Sequence, residues 1–515
     1  MLRRASTASL FTLTLDRSAE APPLYRQIYD QVRLAVLEGR LSPGARLPSS
    51  RILAEELRCS RNTVVGAFEQ LLAEGYLEGH VGSGTYVSRV LPDELLSARP
   101  VKSRQAAQDS ESCPGLGKRG QRLAQLDPPG MPARRSDAPR AFVPGMPETA
   151  FFPFAVWGRL VGRFWRVPPR ELLRPGEPGG FRPLREAIAT YLRAVRALPV
   201  EPEQVFVTSG AQQALDLVSR LLLDPGEKVW IEDPGYAGLR GPLLAAGAEI
   251  VPLPVDEEGI DVSEGLRRAP QARMAAVTPA RQYPLGVPMS LARRLELLAW
   301  AQEAGAWVVE DDYDSEYRYA GRPLAPLQSL DEGAGRVVYI GSLSKVLFPS
   351  IRLGYLVVPP ALVESVTRAR AVLEDYPALA MQPALAAFIQ EGHFAAHLRR
   401  MRALYQARQD ALLEAAKRHL AGMLELSGSE AGLHLLGRLR VPGLNDHMAS
   451  CAASEAGLLV PPLSAYYYEA PPQGATNGVL LGFSAVPEEV MDNRVKKLAQ
   501  ALEQAARQPE LSSRR

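Results

Sequence analysis

Lysine is scarce in this 515-residue chain: seven lysines stand against 52 arginines. Between Trp230 and Ala416 a single one, Lys345, remains. Arginine forms no Schiff base and is effectively never deprotonated, so chemistry that needs an amine has one address in that stretch. Cysteine is scarcer still. Cys59, Cys113 and Cys451 are odd in number and far apart. That excludes a disulfide framework and a Cys-rich metal site, and fits a reducing cytoplasm. No apolar run reaches the ~18 residues of a membrane span. The N-terminal apolar stretch is broken by Thr12, Thr14 and Asp16, so no secretory signal is expected. Charge is nearly balanced at +2, which excludes a grossly basic nucleic-acid coat protein but not a local DNA-binding face. Residues 1–140 sum to +5 and the remainder to −3.

What is present divides into three textures, so a multidomain chain is expected. Residues 16–90 are compact and patterned. Residues 91–140 are rich in Pro, Gly, Ser, Ala, Gln and Arg and read as a flexible linker. Residues 141–508 alternate strand-like and helix-like runs, as in a large α/β domain.

In the first region Leu24, Ile28, Val32 and Val36 recur every four residues, the mark of one apolar helix face. Pro48-Ser49-Ser50 and Ser60 are helix starts, Gly75 is a stop, and Tyr76–Val87 reads as two short strands around Gly82 and Gly84. The pattern is helix, helix, turn, helix, wing. In such a unit the last helix meets base edges with its first residues, here Ser60, Arg61, Asn62 and Thr63. Arginine suits guanine and asparagine suits adenine. Arg46 and Arg51 flank the preceding helix start, where phosphate contact is expected. Ser60 as a mere N-cap and Arg61 as a solvated side chain is the competing reading.

Four signatures in the third region point to pyridoxal phosphate. Thr208-Ser209-Gly210-Ala211-Gln212 follows a strand and opens a helix, whose N–H groups and dipole suit a phosphate, although most such turns bind nothing. Tyr236, in Glu232-Asp233-Pro234-Gly235-Tyr236, offers a ring that could stack on a cofactor. Glu310-Asp311-Asp312-Tyr313-Asp314 ends a strand with carboxylates, one of which could pair with a pyridine nitrogen. A metal site is disfavoured because no histidine lies near in sequence. Finally, Ser342, Ser344 and Arg352 surround the isolated Lys345 with two hydroxyls and a fork of donors suited to a phosphate dianion.

Residues 24–88, including GARLPSSRILAEELRCSRNTVV, closely resemble the winged helix of GntR-type regulators. That resemblance implies DNA contact by Arg51, Ser60, Arg61, Thr63 and Gly82. Residues from about Phe142 to Gln508 resemble the fold type I, aspartate aminotransferase-like PLP enzymes. The resemblance implies that Lys345 carries the Schiff base, Asp311 pairs the pyridine nitrogen and Tyr313 meets the phenolic oxygen. It further implies that Tyr236 stacks on the ring, while Gly210, Ala211, Gln212, Ser342, Ser344 and Arg352 hold the phosphate. The fusion order, together with GGFRPLREAIATYLR and EDDYDSEYRY, is similar to the MocR subfamily of GntR regulators. A cytoplasmic homodimer on symmetric or repeated double-stranded DNA half-sites is implied, and control of vitamin B6 synthesis is one role within that subfamily.

Two departures stand out. Tyr283 occupies the asparagine place of the aminotransferase N-P-x-G turn, and Leu480 occupies the place of the arginine that forks onto a substrate α-carboxylate. Such a charged hydrogen bond is worth ~1.5–3 kcal/mol. Arg240 and Arg281 are possible substitutes. Two readings follow: a PLP-responsive regulator, and an active aminotransferase with a DNA-binding module attached.

Overall fold

The apolar four-residue spacing of the first region folds as expected. Helix α1 (Leu24–Leu37) buries Ile28, Val32, Ala35 and Val36, and α2 (Ser50–Glu56) buries Leu53 and Ala54. Helix α3 (Arg61–Ala73) buries Val64, Ala67, Phe68 and Leu71 against them. Each large side chain so buried contributes ~1.5–3 kcal/mol. Ser49 caps α2 by accepting from the Ile52 N–H, and Ser60 caps α3 by accepting from the Thr63 N–H at 3.1 Å. Strands β1 (Leu77–His80) and β2 (Gly84–Val87) pair antiparallel to form the wing.

The computed structural model describes residues 13–18, 21–80, 84–89, 115–126, 141–321, 324–331, 333–471 and 477–507. The chain divides into two units, Met1–Pro114 and Gly115–Arg515. Of the segment expected to be a linker, only residues 115–126 are described. They carry a helix, Lys118–Ala124, whose Arg119 donates to the Ala245 carbonyl at 2.9 Å. This piece therefore rests on the large unit.

The large unit is built on eight strands: β3 (Val205–Thr208), β4 (Lys228–Asp233), β5 (Glu249–Asp256), β6 (Gly259–Ile260), β7 (Met274–Val277), β8 (Trp307–Asp312), β9 (Val337–Ser342) and β10 (Gly354–Val357). Their order is β3-β10-β9-β8-β7-β4-β5-β6. Strands β5, β4, β7, β8 and β9 run parallel, while β10 is antiparallel to both β9 and β3. The C-terminal ends of β3, β4, β7, β8 and β9 thus share one edge, where α/β sheets bind ligands. Gly354 faces both Thr208 and Ser342, which brings the turn after β3 and the turn after β9 side by side.

A smaller antiparallel sheet, β11 (Leu424–Leu426), β12 (His434–Leu439) and β13 (Gly478–Gly482), packs with helices His393–His419 and Glu488–Arg507. The segment from Ala141 is fastened to it. Gly482 N–H donates to Phe142 O at 2.9 Å, Ser484 Oγ donates to Met146 O at 2.6 Å, and Glu148 pairs with Arg408 at 2.8 Å.

The acidic run at the end of β8 is sorted by strand alternation. Asp312 points into the protein, where Arg196 at 2.5 Å, Tyr339 Oη at 2.6 Å and Ser315 Oγ at 2.7 Å all meet its Oδ2. Asp311 points the other way, with Val309. Removing one partner of a buried pair leaves an uncompensated charge. Arg196→Met is therefore expected to cost ~3–5 kcal/mol of stability, read as a lower urea midpoint in equilibrium unfolding.

Candidate cofactor and DNA-reading sites

Lys345 lies three residues past the end of β9, half-buried. Its Nζ donates to the Gly145 carbonyl at 2.8 Å. Gly145 has φ +64°, and a Cβ there would stand 2.9 Å from the Lys345 Nζ, so only glycine lets the 141–148 segment approach so closely. The lysine backbone is pinned from behind. Tyr317 Oη donates to the carbonyls of Lys345 at 3.3 Å and Val346 at 3.2 Å, and His397 Nε2 meets Val346 O at 3.0 Å. Burial pushes the His397 imidazole down to about 4, so it donates as a neutral ring.

Asp311 lines a cleft with Tyr236, Thr278, Ile231 and Ala276. Its Oδ1 is sealed from solvent and has no hydrogen-bond partner among the described residues. Burial, reinforced by Asp312 and Glu232, pushes its carboxyl up to about 7, and Lys345 is the cation that opposes the shift. An orphaned buried carboxylate oxygen fits a cationic ring N–H. Glu232, on β4, is instead satisfied by Thr278 and Gln282.

The phosphate signatures converge on the shared edge. Gly210 (φ +98°) opens helix Ala211–Leu222. The N–H groups of Ala211 and Gln212 have no acceptor among the described residues. Arg352 is exposed, with no ion pair among the described residues, and a Cβ on Gly210 would stand 3.9 Å from its Nη1. Ser342 and Ser344 are half-buried beside it. The Gln212 side chain does other work: its Nε2 donates to Gly238 O at 2.7 Å and its Oε1 accepts from Tyr236 Oη at 3.3 Å, so it orients Tyr236. The residues present fit pyridoxal phosphate.

Tyr313 is buried and its phenol is pushed well above the usual value by desolvation first. Its hydroxyl accepts from Arg281 Nη1 at 3.3 Å. Sequence reasoning missed the ring cluster beside it. Tyr283 packs edge-on against Tyr236, Tyr313, His434 and Tyr466, with centroids 6.2, 5.6, 5.3 and 5.4 Å away. Its position in place of the usual asparagine was the one available signal. His434 and Tyr466 come from distant segments that carry no local motif.

On the small unit, Arg46, Arg51, Ser60, Arg61 and Asn62 are all exposed and Thr63 half-buried at the start of α3. Arg61 Nε donates to Ser50 Oγ at 3.4 Å, and Arg51 forms only a solvated i,i+4 pair with Glu55. Arg46 bridges to Tyr86 and lies along Gly84, so it belongs to the wing side. Gly82 falls outside the described residues.

Residues 24–87 match the family Bacterial regulatory proteins, gntR family, and residues 169–498 match Aminotransferase class I and II. The probable rhizopine catabolism regulatory protein MocR of Rhizobium meliloti is 43% identical over 490 residues, covering 95% of each chain. The chain belongs to the MocR-type regulators of the GntR family. A second relative of this MocR-type regulator is the HTH-type pyridoxine biosynthesis transcriptional regulator PdxR of Corynebacterium glutamicum, 34% identical over 90% of this chain and 93% of the relative. The solved structure of LysN, an α-aminoadipate aminotransferase of Thermus thermophilus complexed with a phosphopyridoxyl-leucine, superposes with TM-score 0.67 at 28% identity, covering 76% of this chain and 97% of that one. The Pyrococcus horikoshii kynurenine aminotransferase, with PMP, superposes with TM-score 0.65 at 26% identity, covering 78% and 97%. The MocR-type regulator is thus a winged helix joined to a fold type I domain whose cofactor is pyridoxal phosphate. No helix among its described residues is long and apolar enough to cross a membrane.

Because Asp311 is raised from 3.8 to about 7, its contribution to the stability of the cofactor-free fold is present below pH ~4 and is lost as pH rises through ~7. The melting temperature of cofactor-free protein is expected to fall from pH 6 to pH 8. Asp311→Asn makes that slope shallower by one group's share, since Glu232, Glu310, Asp314 and Glu316 are raised likewise, and an unchanged slope counts against the assignment. Gly145→Ala, measured by equilibrium dialysis, is expected to weaken pyridoxal phosphate retention several-fold by displacing the Lys345 side chain.

Proposed function

We propose that this regulator responds to pyridoxal phosphate, alone or with an amine, through its large domain and changes DNA binding by its winged helix accordingly. The observation that carries this reading is one chain that holds Lys345 Nζ on Gly145 O, an orphaned Asp311 Oδ1 and an Arg352 with no ion pair among the described residues, together with an exposed Ser60–Asn62 helix start. When bound, pyridoxal phosphate supplies an aldehyde that captures primary amines and a pyridine ring that withdraws electrons. In this assignment Lys345 holds the aldehyde carbon and Gly145 O orients its amine. Asp311 takes the ring N–H, Tyr313 meets the phenolic oxygen, and Tyr236 covers the ring face. Gly210, Ala211, Gln212, Ser342, Ser344 and Arg352 take the phosphate. Gln212 does so by its N–H alone, since its side chain is committed to Tyr236.

In the small unit Arg61 and Asn62 read base edges, while Arg46, Arg51, Ser60 and Thr63 contact the backbone. The cytoplasmic homodimer expected from the fusion matches two operator half-sites. PdxR, the pyridoxine biosynthesis relative, supports B6-linked genes as targets.

The test is DNA binding to the region upstream of the regulator's own gene, with and without pyridoxal phosphate and with pyridoxamine phosphate. A change in affinity on adding pyridoxal phosphate, abolished by Lys345→Ala, is expected; equal affinities in all three conditions overturn the reading. Arg61→Ala is expected to cost ~1–3 kcal/mol at the specific site, whereas Arg51→Ala weakens binding at all sequences and reduces the salt slope by about one. Turnover of amino donors with 2-oxoglutarate at rates usual for aminotransferases would favour the enzyme reading instead.

A further inference from the structure

The charges around Lys345 are unevenly distributed. Arg281 is buried; its Nη1 meets Tyr313 Oη at 3.3 Å and Asp314 Oδ2 at 3.4 Å, its Nη2 donates to His434 O at 2.6 Å, and its Nε has no partner among the described residues. Arg240 donates to Tyr467 O at 2.5 Å and lies over the Tyr468 ring at 5.1 Å. Leu480 is fully buried in β13, its N–H given to Pro461 O at 2.9 Å. Nη2 of each arginine is thus held by a backbone carbonyl, so neither presents a wholly free guanidinium fork to a carboxylate. Of the remaining cations, Arg196 is locked to Asp312, while Lys345 and Arg352 are the two that cofactor binding uses.

The carboxylates nearby are already engaged: Asp311 is the partner of the ring nitrogen in the cofactor reading, and Asp314 stands 3.4 Å from Arg281. The wall next to them is uncharged: the phenols of Tyr283, Tyr313 and Tyr466, with Tyr283 Oη donating to Tyr466 Oη at 3.2 Å, and the neutral His434 ring. Such a site offers an uncharged body rings to pack against and offers a carboxylate no free fork.

We propose that the effector recognised beside Lys345 is a primary amine that carries no carboxylate and has an uncharged body. The inference rests on the cofactor reading above and narrows it. Selectivity comes from engagement of Arg281 and Arg240 by protein groups and from Leu480.

Isothermal titration of full-length protein loaded with pyridoxal phosphate, freed of excess cofactor, tests it with matched pairs: tyramine against tyrosine, and ethanolamine against serine. The amine of at least one pair is expected to bind at least about tenfold more tightly than its amino acid and to shift operator affinity when the amino acid does not. Leu480→Arg, checked for an unchanged melting profile, is expected to narrow or reverse the ranking; since that variant can misfold, the wild-type ranking is decisive. Equal or tighter binding of the amino acids, or no binding by any amine, overturns the proposal. Failure of the cofactor reading looks different: no pyridoxal phosphate is retained, or its visible absorbance is unchanged in Lys345→Ala, and the inference then falls with it.

Discussion

The pairing row across β3, β10, β9 and β8 is the constraint on which the site depends. Gly354 stands opposite both Thr208 and Ser342, and Asp311 stands opposite Ile340. A one-residue slip in β8 would send Asp312 to the cleft and Asp311 into the protein, because successive side chains alternate faces. The buried Arg196–Asp312 contact opposes such a slip, since it would strand Arg196 without its carboxylate. The same row sets the helix start at Gly210 beside the turns that carry Ser342, Lys345 and Arg352. A phosphate cradle and an amine thus come from segments more than a hundred residues apart.

Around that edge the chain keeps more carboxyl groups than cations. Glu232, Glu310, Asp311, Asp314 and Glu316 are all pushed up to about 7, with burial the first cause in each. Glu310 Oε1 and Asp311 Oδ1 have no partner among the described residues, and of the two only Asp311 lines the cleft, which makes it available to a cationic ring. The supports around Lys345 are equally specific. Tyr317 and His397 fix the carbonyls at and after the lysine, and Gly145 meets the amine itself, so the nucleophile is held by its own backbone and by a segment that lies at the start of the domain.

Much of this was legible beforehand. The winged helix could be read from four-residue apolar spacing, two serine caps and a Gly75 stop, because a small helical unit is specified by local contacts. Strands β3, β4, β7, β8 and β9 could be read from their short β-branched runs, though β8 and β9 extend further than the apolar runs suggested. Parallel pairing carries the strands through Asp311, Asp312 and Gly341, and antiparallel pairing with Gly354 carries β9 to Ser342, regardless of their polarity. Strands β5, β6, β10, β11, β12 and β13 were not foreseen, since pairing with neighbours distant in sequence defines most of them. Likewise, the Lys118–Ala124 helix lies in a stretch whose composition suggests a linker, and its Arg119 donates to the distant Ala245 carbonyl.

The sequence by itself determined which residues could do chemistry. It isolated one lysine in a chain of arginines, set serines before it and an arginine after it, and placed a strand-end acidic run and a glycine helix start at recognisable spacings. Only the tertiary structure decided which member of each group is used. Strand alternation separated Asp311 from Asp312, and hydrogen bonds assigned Gln212 to Tyr236. Burial against Tyr313, Asp314 and His434 removed Arg281 as a carboxylate partner. These decisions depend on what stands opposite a side chain in space, and for a domain assembled from distant segments that information appears only when the sheet has closed.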